Sequence, residues 1–483
     1  MLKSELIGML KSFGELVGDI DGIVWGPFVL IPLLLIVGVV LTVGLRFLPW
    51  RELPHAFATM WRGRRHHPDH EGELTPFRAL MTSLAATIGT GNIVGVASAI
   101  LLGGPGAVFW MWMTALFGMA TKFCEATLAV KYREVTPDGK FVGGPMYYIK
   151  NGLGPNWKWL ATLFAIFGTI ASFGIGNMTQ ANAVTANIVQ LSENYGLILN
   201  PWIVAVVLLI LSGAVLLGGV KRIGLVAGTL VPVMALIYVA GGLIVLAVHI
   251  DRVPGAIALI FESAFSGHAA VGGFAGATIA AAIRFGVARG LFSNEAGLGS
   301  APIAHATAIT DNPVKQGLLG MLDPFLDTLV ICSISALVIL VSDQWMVPGI
   351  TEAGAGTLTA RSFSAAMGDV GSWLVTTGLV LFAFSTILGW CVYGERCVIY
   401  LFGHKAARPY RVIFTLVVPV GAIAKLSLVW DLADLFNGLM AIPNLIALLL
   451  LSPVVFKLAK EYFDNRKTAL LPERDTHNSG EGA

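Results

Sequence analysis

Charge is scarce in this chain. Of its 483 residues only 12% are Asp, Glu, Lys or Arg, about half the share that keeps a soluble domain wetted. A water-exposed globular or disordered protein is thereby excluded. The formal charge of +2 leaves no electrostatic footprint for nucleic acid. Cysteine is nearly missing as well. The four residues present, Cys124, Cys332, Cys391 and Cys397, lie in apolar stretches, which argues against a disulfide framework or a zinc centre. HExxH, GxSxG and a Gly-Lys-Ser/Thr phosphate loop are also absent, so a membrane hydrolase or an ATP-driven pump gains no support. The first 25 residues mix Lys3 and Lys11 with Glu5, Glu15, Asp19 and Asp21 and lack the basic start and short apolar core of a cleaved signal peptide.

What is abundant is apolar surface, with 56% hydrophobic residues and a mean hydropathy of +0.77. Windows of about 20 residues predict about eleven membrane spans, near 24–47, 82–102, 107–130, 158–180, 201–219, 223–249, 272–305, 314–341, 372–402, 412–430 and 432–457. The protein reads as an all-α multi-pass protein of the inner (plasma) membrane. Arg46, Arg51, Arg62, Arg64 and Arg65 follow the first span, and "KYREVTPDGK", "VKRIG", "HKAARPYR" and the tail fall on the same side if spans alternate. The positive-inside rule makes that side cytoplasmic, with the N-terminus outside and the C-terminus inside. The polar end after about Glu473 reads as disordered.

Two spans are interrupted. "AATIGTGNIVGVASAI" (Ala85 to Ile100) holds Gly89, Gly91 and Gly95 beside Thr90 and Asn92, and glycine costs about 1 kcal/mol against alanine inside a helix. An unwound turn survives in lipid only where its freed carbonyls and amides face protein or a polar cavity. Close packing through small residues is the competing explanation. "RFGVARGLFSNEAGLGSAPI" (Arg284 to Ile303) then adds four glycines, Asn294, Glu295 and a proline inside the seventh span. Five spans separate the starts of the two interrupted spans. That odd number gives two five-span units of opposite orientation, and paired broken helices in inverted halves point to a secondary transporter with a midplane site. The expected division is 1–80 (peripheral helix and basic loop), 81–250 (first repeat), 251–460 (second repeat) and 461–483 (cytoplasmic tail).

"GGPGAVFWMWMTALFG" (Gly103 to Gly118) closely resembles the signature of the alanine or glycine:cation symporters, the sodium:alanine symporter family, and "GLFSNEAGLGSAPIAHA" is also like it. The resemblance runs from about residue 20 to 460. It implies a LeuT-like five-plus-five fold with one extra N-terminal helix and sodium-coupled import of a small neutral amino acid: alanine, glycine or D-alanine. The expected partners are that amino acid, Na+ and the bilayer, with no cofactor beyond the coupling ion and the protein a monomer. By the same resemblance "GNIVG" is the unwound stretch of the first core helix, with Gly91 and Val94 as carbonyl ligands of sodium. Ser385 and Thr386 supply hydroxyls and Phe382 a carbonyl. Neutral hard oxygens suit a monovalent hard cation, although a Ser-Thr pair taken alone more often bonds back to its own helix.

A zwitterion needs donors for its carboxylate and acceptors for its ammonium, and half-helix ends supply both. The candidate walls are Thr90, Gly91 and Asn92 on the second span, Phe173, Asn177 and Gln180 on the fourth, Phe285 and Gly286 on the seventh, and Trp390 on the ninth. Interhelical hydrogen bonding alone would also account for the polar stripe. Ionisable residues inside spans are costly and therefore paired or functional. Lys122 and Glu125, three apart, read as a structural pair. Arg289 and Glu295 flank the second break. Asp323 and Asp327 would carry protons if coupling were to H+, which is the alternative reading, with a channel or membrane enzyme further behind. Glu395 and Arg396 sit near a span end, where snorkelling explains them.

Overall fold

Lipid offers backbone groups no hydrogen-bond partners, so the chain must satisfy them internally. The computed structural model does so almost wholly with helices over the residues it describes, 14–26, 28–65, 70–266, 278–347, 354–424 and 427–470. A short helix over residues 14–24 precedes α1 (Leu30–Gly44), and α2 (Leu53–Arg62) lies in the basic loop. The first core span is split into α3 (Pro76–Thr87) and α4 (Val94–Gly103), and α5 (Gly106–Lys131) follows. A two-stranded hairpin, β1 (Glu134–Val135) against β2 (Phe141–Val142), leads to α6 (Lys158–Phe173) and α7 (Thr179–Asn194), which a π-helical segment joins. Then come α8 (Pro201–Leu216), α9 (Gly219–Val248) and α10 (Val253–Ser266).

The second broken span is α11 (Ile279–Asn294) and α12 (Ala301–His305). It is followed by α13 (Pro313–Gly320), a π-helical stretch at Phe325–Cys332, α14 (Ser333–Val341), α15 (Ala355–Met367), α16 (Asp369–Phe402), α17 (Ala407–Ile423) and α18 (Ser427–Leu470). Seven of these helical runs are long and apolar enough to cross a membrane, among them Pro155–Asn194, Pro313–Val341 and Asp369–Phe402. α1, α4, α8 and α10 are shorter apolar helices.

Several boundaries differ from the sequence expectation. The seventh span was placed at 272–305, and its residues 272–277 lie outside those described; so do 425 and 426 of the tenth. The last helix persists to Leu470, beyond the residue 460 at which a tail was expected. α3 begins at Pro76, where the Thr75 hydroxyl accepts from the Arg78 amide, so the first core helix starts before residue 81. Neither α10 nor α15 was foreseen.

The basic loops gather at one end of the bundle, called here the basic face. A parallel bridge pairs Leu74 with Ala308, and the Glu73 and Leu74 amides both donate to the Thr307 carbonyl. Arg133 donates to the Ala308 carbonyl at 2.6 Å. The fully buried Arg396 donates to Glu73 at 2.7 Å, and the Phe141 amide donates to the same Glu73 oxygen. Glu395 pairs with Arg411 at 3.0 Å. These charges therefore do not snorkel: the segments that flank both broken spans converge on them, and a buried charge needs a partner.

Candidate ion and substrate site

The first break forms because Asn92 replaces helix partners with its own side chain. Its Oδ1 accepts the Gly89 amide at 2.9 Å, the chain at Gly89 is extended, and Thr90–Asn92 makes one 3-10 turn before α4 begins. Carbonyls at the break are answered from the second half of the chain, those of Ile88 and Asn92 outside the helical ladder and that of Ile93 beside its bond from the Ala97 amide. Ser335 donates to the Asn92 carbonyl at 2.7 Å and Thr359 to the Ile93 carbonyl at 3.0 Å. The Ile88 carbonyl faces both the Ser385 and Thr386 hydroxyls on α16, at 3.5 Å from each.

Those two hydroxyls also bond back to the Phe382 carbonyl at 2.8 and 3.0 Å. A Cβ added to Gly89 would stand 2.6 Å from Thr386 Oγ1 and 3.8 Å from Gln180 Oε1. Only glycine lets the strand between α3 and α4 approach α16 this closely. Gln180 Nε2 donates to Ile175 at 3.0 Å, a residue of the π-helical segment, while among the described residues its buried Oε1 has no hydrogen-bond partner. Neutral oxygens from Ile88, Phe382, Ser385, Thr386 and Gln180 thus cluster beside the break. Such a donor set suits a hard monovalent cation.

The carbonyl facing the Ser-Thr pair belongs to Ile88 rather than to Gly91 or Val94. The Cβ position of Gly91 lies 3.1 Å from Ser293 and 3.2 Å from the Phe292 ring on α11. Val94 opens α4 and faces Gly356 of α15. A backbone oxygen leaves no mark on the sequence, so the Ile88 carbonyl could not be read from its side chain.

A second polar cluster adjoins the first. Asn92 Nδ2 donates to Asp327 at 2.5 Å, Ser293 donates to the same carboxylate at 2.9 Å, and Thr328 at 2.7 Å. Asp327 stood in the sequence as a proton candidate, and its partner Ser293 was not anticipated. Asp323, the other proton candidate, receives Lys122 at 3.2 Å. Lys122 therefore pairs across to the eighth span instead of with Glu125, which accepts from Asn444 at 2.6 Å.

The remaining predicted walls separate. Thr90 is buried in the break itself. Asn177 donates to the Phe414 carbonyl at 2.7 Å and Phe173 packs on Tyr410 and Phe414, so both hold α17, and of that stripe only Gln180 reaches the break. Trp390 donates its indole N–H to Glu295 at 3.0 Å. Gly286 lies within α11, where a Cβ would meet the Ala107 carbonyl at 2.3 Å; it is a close-packing position against α5. Phe285 lines a separate cavity with Asp21, Arg289 and Asp434.

At the second break the backbone turns left-handed at Glu295 (φ 52°), Gly297 (φ 93°) and Gly299 (φ 82°). Such a φ is unfavourable for Glu295, and the side chain is tied at both oxygens, by Trp390 and by Ser300 at 2.6 Å. Asn294 accepts the Ala296 amide at 3.0 Å, and Asn444 donates to the Gly297 carbonyl at 2.9 Å.

Comparison with known proteins agrees with this architecture. Residues 10–476 match the Sodium:alanine symporter family. The chain belongs to that family. It is 50% identical to the sodium/alanine symporter AgcS of Methanococcus maripaludis over 458 residues, covering 94% of this chain and 98% of that protein. It is 41% identical over 465 residues to the probable sodium/glutamine symporter GlnT of Bacillus subtilis, covering 96% and 94%. Among solved structures it resembles MhsT in complex with L-phenylalanine, at a TM-score of 0.55 and 13% identity, over 81% of this chain and 99% of that one. That likeness shows the fold alone, the LeuT-type fold that the family resemblance implied. This member of the family is a multi-pass transporter and not an enzyme.

Proposed function

We propose that this symporter imports a small neutral amino acid, alanine or glycine, with sodium by alternating access. One observation carries the reading: the neutral oxygens of Ile88, Phe382, Ser385 and Thr386 converge from two helices almost 300 residues apart in sequence. Sodium would sit there, with Gln180 Oε1 at its edge. The amino acid would occupy the break beside it, its carboxylate at the amides of Thr90 and Gly91 and the positive end of α4. Phe292 against Gly91 limits the room and favours a short side chain. Proton coupling has weaker support, since Asp323 is matched by Lys122 and Asp327 already accepts three donors. The basic face is taken as cytoplasmic, 81–250 and 251–460 as the two inverted repeats, and the protein as a monomer.

The test is uptake of radiolabelled alanine into proteoliposomes. Inward sodium should drive accumulation, and a pH gradient alone should not. Equal uptake with potassium in place of sodium overturns the proposal.

A further inference from the structure

At the basic face a cavity of about 350 Å³ lies between the end of α1, the single helical turn Leu48–Arg51 and the last turns of α18. Gly44 ends α1 against α18, where an added Cβ would collide with the Phe456 ring. The chain then turns through left-handed backbone at two adjacent residues with side chains, Arg46 (φ 54°) and Phe47 (φ 59°), a conformation that such residues keep only where their surroundings hold it. Arg46 and Arg51 both line the cavity beyond that turn, Arg51 donating to the Arg46 carbonyl at 3.3 Å, and α18 adds Lys460 and Arg466. The lining also has two carboxylates, Glu52 and Asp464, of which Glu52 is taken up by Arg466 at 2.9 Å. Four cations thus face two carboxylates. Among the described residues Arg46, Arg51 and Lys460 form no ion pair.

We propose that this cavity binds the phosphate headgroup of one anionic phospholipid from the leaflet at the basic face. A free anion and a lipid share the phosphate chemistry, and the apolar surface beside the cavity decides between them. Ile36, Val39, Val40 and Val43 are exposed along α1 at spacings of three and four, and Gly44, one turn beyond Val40, lines the cavity. The stripe therefore leads to the cavity mouth. Phe47 and Trp50 are exposed at its end, with the Trp50 indole N–H donating to the Leu116 carbonyl at 3.2 Å, the aromatic placement of a membrane–water boundary. An acyl chain lying on the stripe brings its headgroup to the arginines, whereas a soluble phosphate gains nothing from it. The guanidinium forks of Arg46 and Arg51 match phosphate oxygens in pairs, and Lys460 supplies a further charge from α18. Basic pockets between membrane helices take lipid phosphate by this chemistry. The site stands apart from the first break and does not depend on which amino acid is carried.

The experiment is native mass spectrometry of the full-length protein in a neutral detergent, titrated with phosphatidylglycerol or with phosphatidylcholine of the same acyl chains. Wild type should retain one phosphatidylglycerol per chain at concentrations where phosphatidylcholine is not retained. A basic residue facing an anionic lipid is worth about five-fold in affinity, so Arg46→Gln with Arg51→Gln should weaken retention about ten-fold or more. Arg46→Lys with Arg51→Lys should recover most of it, which separates lost charge from misfolding. Arg65 and Lys457 are exposed on the same face outside the cavity, and Arg65→Gln with Lys457→Gln should shift retention less than about two-fold. Equal retention of the two lipids, or equal retention of phosphatidylglycerol by wild type and the Arg46–Arg51 glutamine pair, overturns the proposal. So does an equal loss in the Arg65–Lys457 pair, which would make the attraction diffuse. Displacement of the lipid by excess inorganic phosphate overturns it as well, since the occupant would then be a free anion.

Discussion

The two breaks answer their freed backbone in different ways. At the second, the contacts are closed: Glu295 accepts at both oxygens, and Asn294 and Asn444 take up backbone groups at 3.0 and 2.9 Å. At the first, Asn92 closes the turn, but the Ile88 carbonyl stands 3.5 Å from its hydroxyl neighbours, a distance at which a hydrogen bond is weak. Beside it Gln180 Oε1 is buried without a hydrogen-bond partner. A region whose polar groups are mutually satisfied holds a shape, and one whose oxygens converge without satisfying each other is arranged for something else. The first break is therefore the better ion site and the second the better hinge or brace.

The largest effect that can break this contrast is at Gly89. Gly89→Val places atoms within 2.6 Å of Thr386 Oγ1 and should abolish uptake in protein that still inserts and remains monodisperse. Full activity would mean that the approach of the broken strand to α16 is mere packing. Next comes Thr386→Val, which removes a hydroxyl at nearly constant volume. A hydrogen bond or ligand to a charged group is worth about 1.5–3 kcal/mol, so half-maximal uptake should need about ten- to a hundred-fold more sodium, while Thr386→Ser stays near wild type. A sodium titration that does not move in the valine variant removes Thr386 from the ion site. The smallest effect is expected on the other side of the comparison. Trp390→Phe keeps a ring but deletes the donor to Glu295, and should slow maximal uptake several-fold with the sodium titration shifted less than two-fold. A large sodium shift there would make the second break part of the ion site.

Much of this was legible in the sequence because breaks in apolar spans need glycine and polar residues that stand out against leucine and valine. Both breaks and Asn92 came from that contrast, and so did the two-fold arrangement, whereas Ser385 and Thr386 came from the family resemblance. What escaped was set by contacts without a local signature. Ile88 contributes through its backbone, so its side chain gives no hint. Gly286 looks like part of a break, yet it stays helical and serves close packing on α5. Lys122 has a carboxylate one turn away, but Asp323, 201 residues on, lies nearer in space. Phe285 was assigned to the central site because it precedes the second break, and ten residues of intact helix carry it outward instead.

The bridge and buried ion pairs that join the two halves at the basic face, which would have to part like a latch for an ion to pass, have an electrical consequence. Leu74 against Ala308, Arg133 on the Ala308 carbonyl and Arg396 on Glu73 make a layer of paired backbone and buried charge between the Ile88 cluster and that face. With ionisable groups bound to each other, such a layer behaves as an insulator, and a share of any membrane voltage falls across it. One charge crossing the full voltage does work of about 2.3 kcal/mol per 100 mV. On the proposed orientation, a sodium ion seated at Thr386 still has that share of the field ahead of it, so the opening of the latch is a step whose rate should respond to membrane potential.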